Sequence, residues 1–422
     1  MRRVLAALAL VLTLVGTSLA DNWPAWRGPQ RDGISKESNP PTTWSKTDNV
    51  RWRLPLPGPA GSTPIVWGER IFLTSAEGNA TVLLCVDTDG KILWKRPLGE
   101  GNKVVRKGEG NSASPSPSTD GQKVWANAST GELACFDFDG NEIWRVDLQD
   151  RYGKFDIAFG MTATPVLDGD RLYLQLLHTG GAIVACLDKE TGKEIWRQNR
   201  ESDAYAECEH SYASPIIYRD KDREFLITHG ADYVVAHRLD NGEEIWRCGG
   251  LNPRGNYNPT LRFVATPAAA PGLIVVPSAK NGPVLGLRPD IKGDVTKDES
   301  AYLWTRPNNT PDVPSPLIHD GLVYLCRENG VLLCLDAKTG KELYQNRTHA
   351  QRHRASPVFA DGKIYITAAD GTVTVVKAGP EFEVISSNDI EEPLAASPVI
   401  ADGTLYLRSY DALYAIEPEE KK

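Results

Sequence analysis

The sequence predicts an all-β fold, an eight-bladed β-propeller of four-stranded antiparallel blades. Three observations lead there. A small residue followed by proline recurs eight times, at Thr63-Pro64, Ser116-Pro117, Thr164-Pro165, Ser214-Pro215, Thr266-Pro267, Ser315-Pro316, Ser356-Pro357 and Ser397-Pro398. Successive prolines lie 53, 48, 50, 52, 49, 41 and 41 residues apart, a period that belongs to a propeller or solenoid. Each unit also repeats one internal order of short apolar strands broken by Gly-rich turns, and a turn with Gly four residues before a Trp returns near its end.

Within a unit the marker opens a short apolar strand such as PVLDG or PVFADG. An Asp-Gly-type turn and an alternating strand with Tyr follow, as in RLYLQLL, KIYITAA and TLYLRSY. A second turn precedes a third apolar strand (GAIVACLD, GVLLCLD, GTVTVV), and a third turn leads into the strand that ends on Trp. Short strands of period two separated by Gly-rich turns are antiparallel meanders, and four strands make one blade. The last turn pairs Gly90 with Trp94, Gly140 with Trp144, Gly192 with Trp196, Gly242 with Trp246 and Gly340 with Tyr344. Gly supplies the positive φ of a tight hairpin, and the rings are expected to cover the gaps between blades. Unit five has Trp304 without the preceding Gly, and unit seven has no Trp. Unit eight stops after three strands; Val50-Arg51-Trp52-Arg53 matches the missing fourth and is expected to close the ring, leaving no free edge.

The propeller is expected over 49–417. Residues 1–20 read as a Sec-type signal peptide: Arg2 and Arg3, an apolar run from Val4 to Val15, and cleavage after Ala20. Residues 21–48 form a Pro/Gly-rich lead-in expected along the rim, and 418–422 a disordered tail. No later apolar run approaches the ~18 residues of a membrane helix. The expected location is therefore secreted or periplasmic. The formal charge of −8 becomes −10 once Arg2 and Arg3 are removed, which argues against nucleic-acid binding.

The seven cysteines include no CxxC pair, so a zinc cluster is not supported. Cys85, Cys135, Cys186 and Cys334 share one slot (LLCVD, LACFD, VACLD, LLCLD) and read as small buried hydrophobes. Cys208 and Cys248 lie outside it, and their pairing stays open. There is no GxSxG elbow, P-loop or EF-hand run, and no catalytic or metal-binding residue is predicted. Candidate binding residues lie in the connections entering each first strand, which share one face around the channel. They are Asp156, Glu207, Glu209, His210, Tyr212, Tyr257, Arg262, His349, Arg352, His353 and Arg354. Polar and aromatic groups gathered on one face suggest a binding surface.

The strings ACLDKETGKEIW (185–196) and LCLDAKTGKELY (333–344), with looser copies at CVDTDGKILW and RLDNGEEIW, resemble the signature of the PQQ-like β-propellers. The lead-in WPAWRGPQRDGIS is similar to the start of many secreted members. The resemblance covers the mature chain and implies two functional classes. Quinoprotein dehydrogenases hold pyrroloquinoline quinone and calcium at the centre of an eight-bladed disc, with the quinone between a Trp and a disulfide of adjacent cysteines. BamB-like members are non-enzymatic and bind proteins through surface loops. This chain has no adjacent cysteines and compact units. The expectation is a non-catalytic, monomeric scaffold that binds a protein or small molecule, with no cofactor. The alternatives are a quinone- and calcium-dependent alcohol or sugar dehydrogenase, and a non-catalytic ligand sensor.

Overall fold

A computed structural model describes residues 22–102 and 110–418. The expected signal peptide and most of the expected tail lie outside the described residues. The strands form eight sheets, each built on one four-stranded antiparallel meander. Blade three is typical: Val166–Asp168, Arg171–His178, Gly181–Asp188 and Glu194–Asn199 pair in order. Middle strands such as Arg70–Glu77 and Ala80–Asp87 are buried on both faces, because neighbouring blades cover both sides. Hence burial runs along the whole strand, through Thr74, Ser75 and Thr81 as well as the apolar residues, rather than alternating. The N-terminal strand Val50–Pro55 completes blade eight, with Val50 opposite Ile416 and Trp52 opposite Ala415.

The repeated Trp and the repeated Gly belong to neighbouring blades. The Trp94 ring lies where a Cβ on Gly140 of the next blade would stand, 2.8 Å from that position. The same holds for Trp52 on Gly90 (2.7 Å), Trp144 on Gly192 (2.6 Å), Trp304 on Gly340 (2.7 Å), and Trp196 on Gly242. Each indole N–H donates to a carbonyl of the turn it covers: Thr88, Phe138, Lys189, Leu239 and Ala337, at 2.8–3.1 Å. The glycines serve twice, since φ at Gly90, Gly140 and Gly242 is +84°, +81° and +76° and any side chain there would strike the indole. Opposite each ring, across the strand pair, stands a small residue: Cys85, Cys135, Cys186, Ala236, Gly286 or Ala415.

Two positions depart from this pattern. Blade five has no such turn glycine, and Trp246 of blade four instead pairs with Gly293 of a two-residue strand, Gly293–Asp294, laid parallel on its outer edge. Trp246 is fully buried there and its indole N–H makes no such bond. Tyr344 meets Phe382 edge-on at 5.5 Å.

Residues 22–35 do not follow the rim. They cross the bore just beneath the marker residues. Trp23 pairs with Val66 of blade one, and Pro24 O accepts from Thr119 of blade two at 2.8 Å. Arg31 donates to Leu167 O of blade three, and Arg27 to Pro316 O at 2.6 Å. Gly33 O accepts from Phe359 N of blade seven, and Ser35 donates to Ile400 O of blade eight at 3.0 Å. A segment rich in Trp, Arg and Pro has no period to reveal this path. Cys208 and Cys248 are separate buried thiols, Cys208 against the Asn258 carbonyl and Cys248 3.2 Å from the Tyr302 hydroxyl. Burial pushes Cys85, Cys135, Cys186 and Cys334 up to about 12, so they stay protonated. Among the described residues no helix is long and apolar enough to cross a membrane.

Candidate functional site: a cup at the propeller mouth

The residue before each marker proline lies two positions ahead of its blade's innermost strand, and its backbone N–H has no further strand to accept it. The acceptor comes from the next blade. Thr63 N donates to Ser116 Oγ, Ser116 N to Thr164 Oγ1, and so on around the axis. The chain of bonds continues through Ser214, Thr266, Ser315, Ser356 and Ser397, at 2.9–3.3 Å throughout, and returns from Ser397 N to Thr63 Oγ1. The circle explains why all eight markers carry a hydroxyl. A hydroxyl that accepts still has a hydrogen to donate, so this tier makes the bore wall donor-rich.

Alternate residues of an extended chain face the same side. The next tier toward the mouth therefore lies two residues upstream, and it includes Ser114, Thr162, Tyr212 and Arg354. Trp26 of the lead-in lines the same space beneath all eight hydroxyls and forms its floor. The result is a cup closed at one end, with compartments of about 150 and 170 Å³. At its lip the Arg262 guanidinium lies 4.5 Å over the Phe159 ring and bonds Glu207 at 3.0 Å. Phe159 packs at 5.8 Å on Tyr212. Arg354 reaches Glu328 at 3.2 Å. Among the described residues no carboxylate lines the cup itself; Arg262 meets Glu207 and Arg354 meets Glu328 at the lip.

The residues singled out in the sequence therefore divide. Tyr212, Arg262 and Arg354 line the cup, and Glu207 neutralises Arg262. Asp156 and His210 flank the cup rather than line it. The Asp156 backbone N–H donates to His178 Nδ1 at 3.3 Å, and His210 Nε2 lies 3.0 Å from the Thr179 hydroxyl. Burial pushes both imidazoles below their ordinary value, with the Asp156 carboxylate opposing the shift. Glu209 lies in the short helical turn Ala206–Glu209 beside them.

Tyr257 is elsewhere, stacked on Tyr205 at 4.2 Å with its hydroxyl donating to Asp232 at 2.7 Å. His353 is fully buried and bonds the Gln351 carbonyl at 2.8 Å, which makes it a packing residue. His349 bonds Asp370 at 2.8 Å. Arg352 bonds Glu328 at 2.8 Å, in a separate cleft. Sequence reading did not pick out Trp26, Phe159 or Glu328. The one available signal was the hydroxyl at every marker.

The family model described as outer membrane protein assembly factor BamB matches residues 41–137, 79–285 and 292–379. The chain belongs to this PQQ-like propeller family. No curated protein matches it. Among solved structures the propeller is similar to BamB from Moraxella catarrhalis, at 15% identity and TM-score 0.63, over 86% of this chain and 98% of that one. It is similar as well to the quinohemoprotein alcohol dehydrogenase from Comamonas testosteroni, at 12% identity and TM-score 0.69, covering 95% and 81%. A europium-containing methanol dehydrogenase gives 12% identity and TM-score 0.69, covering 93% and 90%. At these identities the likeness is one of fold.

Proposed function

We propose that this family member is a secreted, non-catalytic, monomeric propeller that recognises a partner through the loops of its mouth face, the rigid blades serving as support. The observation that carries the reading is the donor set of the cup. A bound calcium ion calls for several converging oxygen ligands, usually carboxylates. Among the described residues the cup offers neutral hydroxyls and two guanidiniums, which repel a divalent cation. Together its compartments of about 150 and 170 Å³ only just reach the ~300 Å³ at which small-molecule pockets begin, and the Trp26 floor limits their depth. The residues present thus do not fit a quinone with its calcium. A cup of this size suits one inserted side chain or a small anion, with Arg262, Phe159 and Tyr212 at the lip as an anchor of the kind that dominates protein interfaces.

The test is photo-crosslinking in the native envelope. A probe at Asn258 on the mouth face is expected to give discrete adducts that weaken in Arg262→Ala, whereas a probe at Lys221 on the opposite face gives none. Saturable one-to-one binding of pyrroloquinoline quinone with calcium, read by calorimetry, would overturn the reading in favour of a dehydrogenase.

A further inference from the structure

A second cleft opens on the mouth face away from the axis, between blades five and six. Its volume is about 500 Å³, and none of the two cup tiers lines it. Four cations converge on it: Lys280, Arg327, Arg347 and Arg352, against the two carboxylates Asp312 and Glu328. That local excess is unusual in a chain whose formal charge is −8. Glu328 is already committed to Arg352 and Arg354. Lys280, Arg327 and Arg347 make no ion pair among the described residues.

The cations are held in place by neutral groups instead. Arg327 Nη2 donates to the Asn281 side-chain oxygen at 2.9 Å, and Arg347 Nη1 donates to the Asn329 carbonyl at 2.7 Å. Lys280 bonds the Thr260 hydroxyl. Each guanidinium thus spends one of five N–H donors on a neutral acceptor and faces the cleft with its charge uncompensated. Lys280 and Asn281 sit at φ +49° and +67°, a left-handed turn that is unfavourable for a lysine and that brings both side chains to this wall. The rest of the lining is the amides Asn281, Asn329 and Gln351, the Thr310 hydroxyl and the Ala350 methyl, with no aromatic ring.

We infer that this cleft is a binding site for an acidic saccharide, a polyhydroxylated ligand bearing carboxylate or phosphate groups. The arginine forks match oxyanions bidentately, and the amides match hydroxyls. The volume lies within the range of small-molecule sites, and the open shape accepts a chain longer than one sugar. The site is distinct from the cup and stands whether or not the cup binds a partner.

The test is calorimetry on the full mature chain at low salt. Trigalacturonate supplies the carboxylate and glucose 6-phosphate the phosphate, with maltotriose as the neutral saccharide and tetraglutamate as the acidic peptide. At least one acidic saccharide is expected to bind one-to-one, and the stronger of the two identifies the oxyanion. Arg327→Ala and Arg347→Ala should each weaken binding about tenfold or more. Lys280→Ala, at an exposed position that leaves the fold intact, should weaken it severalfold, and Arg262→Ala in the cup should leave it unchanged. The proposal is overturned if neither acidic saccharide binds saturably, if maltotriose or tetraglutamate binds as tightly, or if the arginine variants bind like the parent. Failure of these titrations with crosslinking intact would remove this site and leave the mouth-face reading standing.

Discussion

A single missing carbon decides how the blades stack. Where the Trp94 ring meets Gly140, the glycine supplies both the left-handed turn and the empty volume under the indole. Gly140→Ala is expected to lower stability by about 1–3 kcal/mol, measured as a fall in the urea midpoint. Trp94→Phe should also lower it, through loss of the bond to the Phe138 carbonyl. At the hub, Ser214→Ala leaves the Thr164 N–H without its acceptor, at about 1–3 kcal/mol, whereas Ser214→Thr keeps the oxygen and should be near neutral. These residue-scale features were half legible. The Gly-to-Trp spacing is plain in the sequence, but that each Trp sits on the following blade's glycine is not, since spacing within a unit says nothing about neighbours. The hydroxyl before each proline was visible eight times; its meaning needed the ring to be closed.

At the scale of the element, blade four shows what happens when the pattern breaks. Its outer edge is covered by Gly293–Asp294 from the segment that enlarges blade five, and two residues of strand are too short to show a period. Inside this blade His237 sits between the Gly242 carbonyl at 3.1 Å and the Thr228 hydroxyl at 2.9 Å. A carbonyl only accepts, so Nδ1 carries the proton and Nε2 accepts from Thr228, whose oxygen also accepts from Arg200 Nε at 3.2 Å. Burial, with Arg200 adding to it, holds this imidazole at about 3; burial does the same to His229. Below pH 6.5 the unfolded chain binds protons at these two sites that the native blade refuses. Their contribution is full above about pH 6.5 and is lost progressively as pH falls toward 3. The urea midpoint should therefore decline across that window, and His237→Gln should flatten the decline.

The whole molecule is closed three times over, by the strand Val50–Pro55 in blade eight, by the hydroxyl circle, and by the lead-in across the bore. The first was legible, because Val50-Arg51-Trp52-Arg53 repeats a pattern seen elsewhere. The last was not, because its Trp, Arg and Pro residues carry no periodicity. The cup followed the same division: its tyrosine and arginines were named from loop composition, but its floor came from a segment expected on the rim. At the lip of the seam, Glu392 accepts from Arg53 at 2.7 Å, Tyr414 at 2.7 Å and Ser409 at 2.5 Å. Glu392→Gln is expected to loosen the seam first, seen as faster amide exchange in Val50–Pro55 and Ala412–Ile416 than in blades two to six.

The closing strand has a consequence for how the chain is made. Val50 is paired with Ile416, so an early segment waits for one made much later. Until blade eight exists, the strand Val50–Pro55 has no partner, and the growing array keeps a bare strand edge of the kind that pairs with other chains. Completion of the disc is thus a late, long-range event, and the interval before it is when this protein is most in need of a folding helper.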